Sequence, residues 1–262
     1  MIFRVSTVAL ALLIAACGGE AAAEEPVTSD PPATTSTTTT TTLPGPEIFE
    51  APLWEGFAAT YGVDRDLAAY AHGALDVYEA PDHPEPMLTL DGTTILGTVT
   101  VLAVVTGPIE GWAEVMLPVR PNGSTGWIST DDVSFYVVDG EIVVELSKRT
   151  LTYIVDGVEI LRTEIGIGSE HNQTPPGVYF VTDNVRLADP TGPWGPHALG
   201  LSARSDTITE FNGGDGIIGI HGTNNPGSIG GNISLGCVRL PNDMITALAG
   251  MVPVGTRVIV NA

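Results

Sequence analysis

Two side chains in this sequence can do covalent chemistry as a pair. They are His221 and Cys237, 16 residues apart in the stretch GIHGTNNPGSIGGNISLGCVRL. A cysteine near its ordinary pKa is mostly protonated at neutral pH, and its thiolate is the nucleophile. A histidine within hydrogen-bonding reach takes that proton and later returns it to a leaving amine. The residues between the two are rich in Gly, Asn and Ser, the types a folded connecting loop needs. Spacing alone leaves the alternatives open, since an unpaired thiol is either buried and inert or reactive. A metal site is the poorer reading. One Cys and one His are too few to close a zinc site, and His171, His197 and Asp215 add no i,i+4 pair or CxxC. No metal and no cofactor is expected.

The pattern around these residues predicts what holds them. GIIGIHGT reads as a strand ending at His221, with Ile218 and Ile220 on one face and Gly219 and His221 on the other. Pro241 to Ala249 predicts the one helix of this half. Pro241 and Asp243 suit its first turn, and Met244, Ile245 and Leu248 form its apolar face, with Gly250 at its end. Upstream, EIVVELSKRTLTYIVDGVEILRTEIGIG contains three β-rich runs with a turn at Asp156-Gly157, and TPPGVYFVTDNV adds another strand. Between Leu75 and Tyr136 the runs LDVYEAP, TTILGTVTVLAVVTG, GWAEVML and GSTGWIS are short, β-branched and aromatic. They are broken by Pro118, Pro121 and the tight-turn pair Asn122-Gly123. Trp112 and Trp127 read as core or edge residues. LWEGFAATYG and RDLAAYAHGAL suggest short helices or irregular structure, with His72 as a surface or packing histidine.

The N-terminus MIFRVSTVALALLIAACGGE has a basic start and an apolar core too short to span a bilayer comfortably, ending in IAAC. This resembles a bacterial lipobox, which implies cleavage before Cys17 and lipidation of its thiol. Ala21 to Pro46 is Ala-, Pro- and Thr-rich and has too few apolar side chains to offset the entropy of ordering, so it reads as a disordered stalk. Cys17 and Cys237 are the two cysteines of the chain; with Cys17 lipidated, Cys237 has no disulfide partner. A net charge of −21 excludes nucleic acid as a partner, because phosphate binding needs a basic surface.

HGTNNPGSIG followed by SLGCVRL resembles the signature of the L,D-transpeptidases of the YkuD family, a histidine-glycine and then, after a spacer, Ser/Thr-x-Gly-Cys. TPPGVYFVTD and GPHALGLS stand where that family has a Thr-Pro-x-Gly strand and a Gly-Pro-to-Leu-Ser segment. GWAEVMLPVRPNGSTGWIST resembles bacterial SH3-like domains. The resemblance implies a mainly β chain: a signal peptide over 1–16, a stalk over 17–46, a small SH3-like β-barrel over 47–138, and a YkuD-type β-sandwich with one or more short helices over 139–262. It implies Cys237 as nucleophile and His221 as base, then acid. It implies the Gly236 and Cys237 N–H groups as oxyanion donors and the Gly222 carbonyl as the group orienting the imidazole. Arg239, two residues past the nucleophile, suits a substrate carboxylate; Ser234 and Asn224 are further substrate-side candidates. The implied reaction joins peptidoglycan stem peptides by 3→3 cross-links through a thioester. L,D-carboxypeptidase trimming and non-catalytic wall binding are the alternatives. Carbapenem-type β-lactams are the implied covalent inhibitors, and the implied place is the outer face of the cell membrane, held by lipid on Cys17. One departure stands out: many members carry histidine where this chain has Leu235.

Overall fold

A computed structural model describes residues 66–211 and 214–262, together with the backbone of a two-residue strand, β1 (Ile48–Phe49). The expectations for residues 1–46, including lipidated Cys17, and for LWEGFAATYG lie outside the described residues.

The N-terminal half comprises β1, β2 (Asp66–Ala71), β3 (Leu75–Val77), β4 (Leu88–Leu90), β5 (Val101–Ile109), β6 (Trp112–Met116), β7 (Thr125–Ser129) and β8 (Val133–Val138). Six of these form a sheet in the order β1-β8-β2-β5-β6-β7, and β3 and β4 form a hairpin. DLAAYA, within the stretch RDLAAYAHGAL expected as short helices or irregular structure, is instead strand β2. Its alanines favour a helix locally, but the segment pairs with β8 on one side and β5 on the other, and tertiary context overrides propensity. The TTILG run is not a strand; Thr94 and Gly97 close a tight turn ahead of β5. Trp112 and Trp127 are half-buried, and Trp112 meets Tyr78 edge-on at 5.2 Å.

The C-terminal half carries β9 (Gly140–Glu145), β10 (Thr150–Val155), β11 (Val158–Glu164), β12 (Ile167–Gly168), β13 (Gly177–Arg186), β14 (His197–Arg204), β15 (Ile217–His221), β16 (Asn232–Ser234), β17 (Val238–Arg239), helix α1 (Asn242–Ala249) and β18 (Arg257–Asn261). Eight of these strands follow the order β11-β10-β9-β18-β13-β14-β15-β17. The three runs expected between Glu141 and Gly168 are β9, β10 and β11. Asp156 and Gly157 both take positive φ in the β10–β11 turn, as a tight hairpin requires. Strand β13 turns a corner: Gly177 to Phe180 pairs with β18, and Val181 to Arg186 pairs with β14 after a register shift. The two ends of the long sheet therefore close over one core. Ile142, Leu151 and Val258 from one end share it with Leu199, Ile220 and Val238 from the other. Helix α1 covers this core with Ile245 and Leu248, and packs on β14 and β15.

The halves are joined through the same strand. Phe180 on β13 is fully buried in the apolar cluster of the N-terminal sheet, beside residues such as Phe135 and Leu102. The neighbouring Asp183 is buried, and its Oδ1 accepts hydrogen bonds from Thr94 at 2.5 Å and from Thr98. Truncating a buried phenylalanine removes its transfer energy and leaves a cavity, so Phe180→Ala should cost roughly 3–5 kcal/mol. Urea denaturation checks this. A loss below about 1 kcal/mol would mean that Phe180 does not tie the halves together.

Candidate active site

The polar face of β15 carries the site. Ile218 and Ile220 point into the core, and His221 lies on the opposite face, as the alternation predicts. Strand β17 lies parallel to β15 with His221 opposite Arg239. By the same alternation Cys237, two residues before Arg239, falls on the His221 side. The Gly219 N–H donates to Cys237 Sγ at 3.4 Å. His221, Cys237 and Arg239 line one cavity of about 100 Å³, and His221 and Cys237 also line a second, more apolar cavity of about 240 Å³. Cys237 thus borders both cavities.

The histidine is held at Nδ1 and over one face of its ring. Its Nδ1 donates to the Gly222 carbonyl at 2.6 Å. A carbonyl only accepts, so in the neutral ring the proton sits on Nδ1 and Nε2 is bare. Trp194 stacks on the ring at 5.4 Å with 23° between the planes. Trp194 approaches because Gly195 and Gly222 pack back to back. A Cβ on Gly195 would collide with Asn242 Oδ1 and the Gly222 backbone, and Gly195 also has φ of +65°. Asn242, at the start of α1, accepts from the Thr223 N–H at 2.7 Å and pins the chain just beyond the histidine. Sequence reasoning missed Trp194, which the fold brings in from the far side of β14; a lone tryptophan between glycines and prolines in TGPWGPHALG is the signal it left.

The turn before Cys237 is built from hydroxyls. Ser234 Oγ donates to the Cys237 carbonyl at 2.6 Å and accepts from the Gly236 N–H at 3.1 Å. Gly236 has φ of +114°, where a side chain is strained. Thr174 Oγ1, from the TPPG segment, donates to the Gly236 carbonyl at 2.8 Å and accepts from the Gly168 N–H at 3.0 Å. These bonds correct one expectation. The Gly236 N–H is engaged by Ser234 and does not face an oxyanion; the Cys237 N–H has no acceptor among the described residues and is the candidate donor. Ser234 is buried with its hydroxyl occupied in shaping the turn, and it forms part of the lining of the first cavity. Asn224 is exposed on its loop and does not line either cavity. His171 is exposed and His197 half-buried, both outside the two linings. Leu235 is half exposed at the rim of the first cavity, where an imidazole would stand in many family members.

Charge and burial set the protonation states. Burial pushes the His221 imidazole down to about 4, against the opposing pull of the Gly222 hydrogen bond, and the nearby Arg239 charge lowers it further. Protein packed around the sulfur pushes the Cys237 thiol up, although part of its surface reaches the cavity; the Gly219 N–H and the Arg239 charge pull the other way. At neutral pH the resting pair is a neutral thiol and a neutral imidazole. Arg239 has no carboxylate partner among the described residues, and its buried Nε has no hydrogen-bond acceptor. A cation left unpaired in so acidic a chain, on the wall of this cavity, is poised for an anionic group of a ligand.

Residues 139–260 match the family model described as an L,D-transpeptidase catalytic domain, YkuD. The YkuD protein of Bacillus subtilis strain 168, named as an L,D-transpeptidase, is 36% identical over 126 residues, which are 48% of this chain and 68% of the relative. The YqjB protein of the same organism, similarly named, is 34% identical over 134 residues, covering 46% of this chain and 72% of the relative. Among solved structures, an L,D-transpeptidase from Mycobacterium smegmatis is 19% identical, with 72% of this chain and 99% of that chain covered and a TM-score of 0.39.

The lowered histidine has a consequence for stability. The unfolded chain protonates this imidazole near 6.5 and the folded protein only near 4. Between those values the unfolded state binds more protons, so stability present above pH 6.5 falls as pH drops toward 4, by about 3 kcal/mol in all. Denaturation at a series of pH values should show that His221→Gln lacks this part of the acid loss. Equal slopes for the two proteins would show that the native imidazole is not depressed.

Proposed function

The chain belongs to the L,D-transpeptidase (YkuD) family, and from that premise we propose that it forms 3→3 cross-links between peptidoglycan stem peptides through a thioester on Cys237. The observation that carries this reading is the placing of Cys237 beside a histidine whose Nε2 is bare, in a cavity that also presents an unpaired arginine. As Sγ attacks the carbonyl carbon of the penultimate stem residue, meso-diaminopimelate or a similar residue, the thiol proton passes to His221 Nε2. The Cys237 N–H faces the developing oxyanion. Collapse of the tetrahedral intermediate breaks the C–N bond to the terminal D-Ala, and the imidazolium returns its proton to that leaving amine. The amine of a neighbouring stem then attacks the thioester and gives its proton to the same nitrogen, and the thiol is regenerated. Arg239 holds a substrate carboxylate during both steps.

The neutral resting pair suits an enzyme working outside the cytoplasm, held there by a lipid on Cys17. A thiol that ionises only as it attacks resists oxidation, because susceptibility follows thiolate character. Trimming of stems by water uses the same site with a different acceptor. The two cavities meeting at Cys237 favour transfer, since a second peptide has its own approach.

Intact-mass analysis of the full chain incubated with a carbapenem should show one adduct that is absent in Cys237→Ser. With tetrapeptide stems as substrate, the products should include dimers linked 3→3. Tripeptide without dimers would replace the proposal with carboxypeptidase activity. Absence of adduct and products alike, with the protein folded, would leave only wall binding.

A further inference from the structure

The connection between β14 and β15 forms part of the wall of both cavities. Ile208 and Phe211 line the first, and Phe211 and Gly214 line the second. The Ser205 N–H donates to the Gly216 carbonyl at 2.9 Å, Ser205 Oγ accepts from the Thr207 and Ile208 N–H groups, Thr207 Oγ1 donates to Asn172 Oδ1 at 2.9 Å, and Phe211 and Gly214 exchange backbone hydrogen bonds at 2.9 Å. Further bonds reach it from the other half of the molecule, from the β6–β7 turn. Arg120 Nε donates to Asp215 Oδ1 at 2.9 Å, and its second guanidinium nitrogen donates to the Ile208 carbonyl at 3.2 Å. One side chain therefore spans both limbs of the connection. The other Asp215 oxygen lies 3.5 Å from Arg204 Nε. Asn122, on the same turn, bonds the Arg204 carbonyl and N–H at 2.8 Å each, docking the turn where the connection leaves β14. The limbs touch directly, for a Cβ on Gly216 would strike the Ile208 carbonyl. Gly216 leads at once into Ile217 and Gly219, and the Gly219 N–H contacts the Cys237 sulfur.

We infer that Arg120 is a positioning residue for the cysteine–histidine site, through which the N-terminal sheet holds the β14–β15 connection against the cavities. The inference rests on the proposed transpeptidase reading for its chemical consequence. With Ile208 and Phe211 held in place, apolar walls keep water from the thioester while the acceptor amine attacks; with the connection loose, hydrolysis competes. Arginine suits the task because its planar fork reaches a carboxylate and a carbonyl together, and an ammonium group is a single point. Both partners are partly exposed, with 33% and 48% of their side chains accessible, so the pair adds little to global stability. Its effect is on the site.

The test compares the full chain with Arg120→Ala and Arg120→Lys by three measurements: Tm, iodoacetamide alkylation of Cys237, and the ratio of hydrolysed to cross-linked stems. Arg120→Ala should leave Tm within about 2 °C of the parent. It should raise alkylation and the hydrolysed fraction by about three- to ten-fold, and Arg120→Lys should fall between the two. Wild-type alkylation and product ratio in Arg120→Ala would overturn the inference. So would a rise in alkylation that comes with a large fall in Tm and is not reduced in Arg120→Lys, since that marks general loosening. If the parent chain makes no stem products but alkylation still responds as expected, the transpeptidase reading fails and the positioning role stands.

Discussion

A single hydrogen bond, from His221 Nδ1 to the carbonyl of the next residue, decides what this site can do. It fixes the tautomer, turns the ring, and leaves Nε2 without a proton on the side where a base is needed. Much of the surrounding structure serves to keep that bond in place. The parallel pairing of β15 with β17 sets the strand that ends in His221, the glycine pair 195 and 222 lets Trp194 close over the ring, and Asn242 anchors the chain beyond Gly222. Removing the imidazole from water in this way carries a cost, which appears as the depressed basicity of the ring.

That cost shapes the chemistry. A histidine near 4 beside a thiol above its usual range does not form a resting ion pair. In the proposed mechanism, proton transfer becomes favourable only as sulfur bonds to carbon, when the thiol turns acidic. Arg239, which has no carboxylate partner among the described residues, works in the same direction, since its charge opposes a protonated His221. In the proposed reaction, a substrate carboxylate at Arg239 would offset that charge and raise the basicity of the histidine as it accepts the proton.

The sequence disclosed this site unevenly. His221 and Cys237 were legible because a strand end and a Ser-x-Gly-Cys turn are local patterns, and the Asp156-Gly157 hairpin and helix α1 were legible for the same reason. The assignment of the oxyanion donor to Gly236 missed because the Ser234 hydroxyl captures that N–H, a competition that residue order does not reveal. Strand β2 was hidden by its alanines, since its pairing partners are about 30 to 70 residues away. Trp194, Thr174 and Arg120 were invisible as site residues for a related reason. Each acts across the fold, and Arg120 reaches Asp215, 95 positions further along the chain.

The two halves of the molecule are consequently not a catalyst and an appendage. Phe180 and Asp183 tie β13 to the N-terminal sheet, and the β6–β7 turn reaches the edge of the cavities. The whole account nevertheless depends on which nitrogen of His221 carries the proton. Correlation of imidazole protons with ring nitrogens by NMR at pH 7 reads this directly. The account predicts a proton on Nδ1 and none on Nε2. Protons on both nitrogens, or a neutral ring protonated on Nε2, would contradict it.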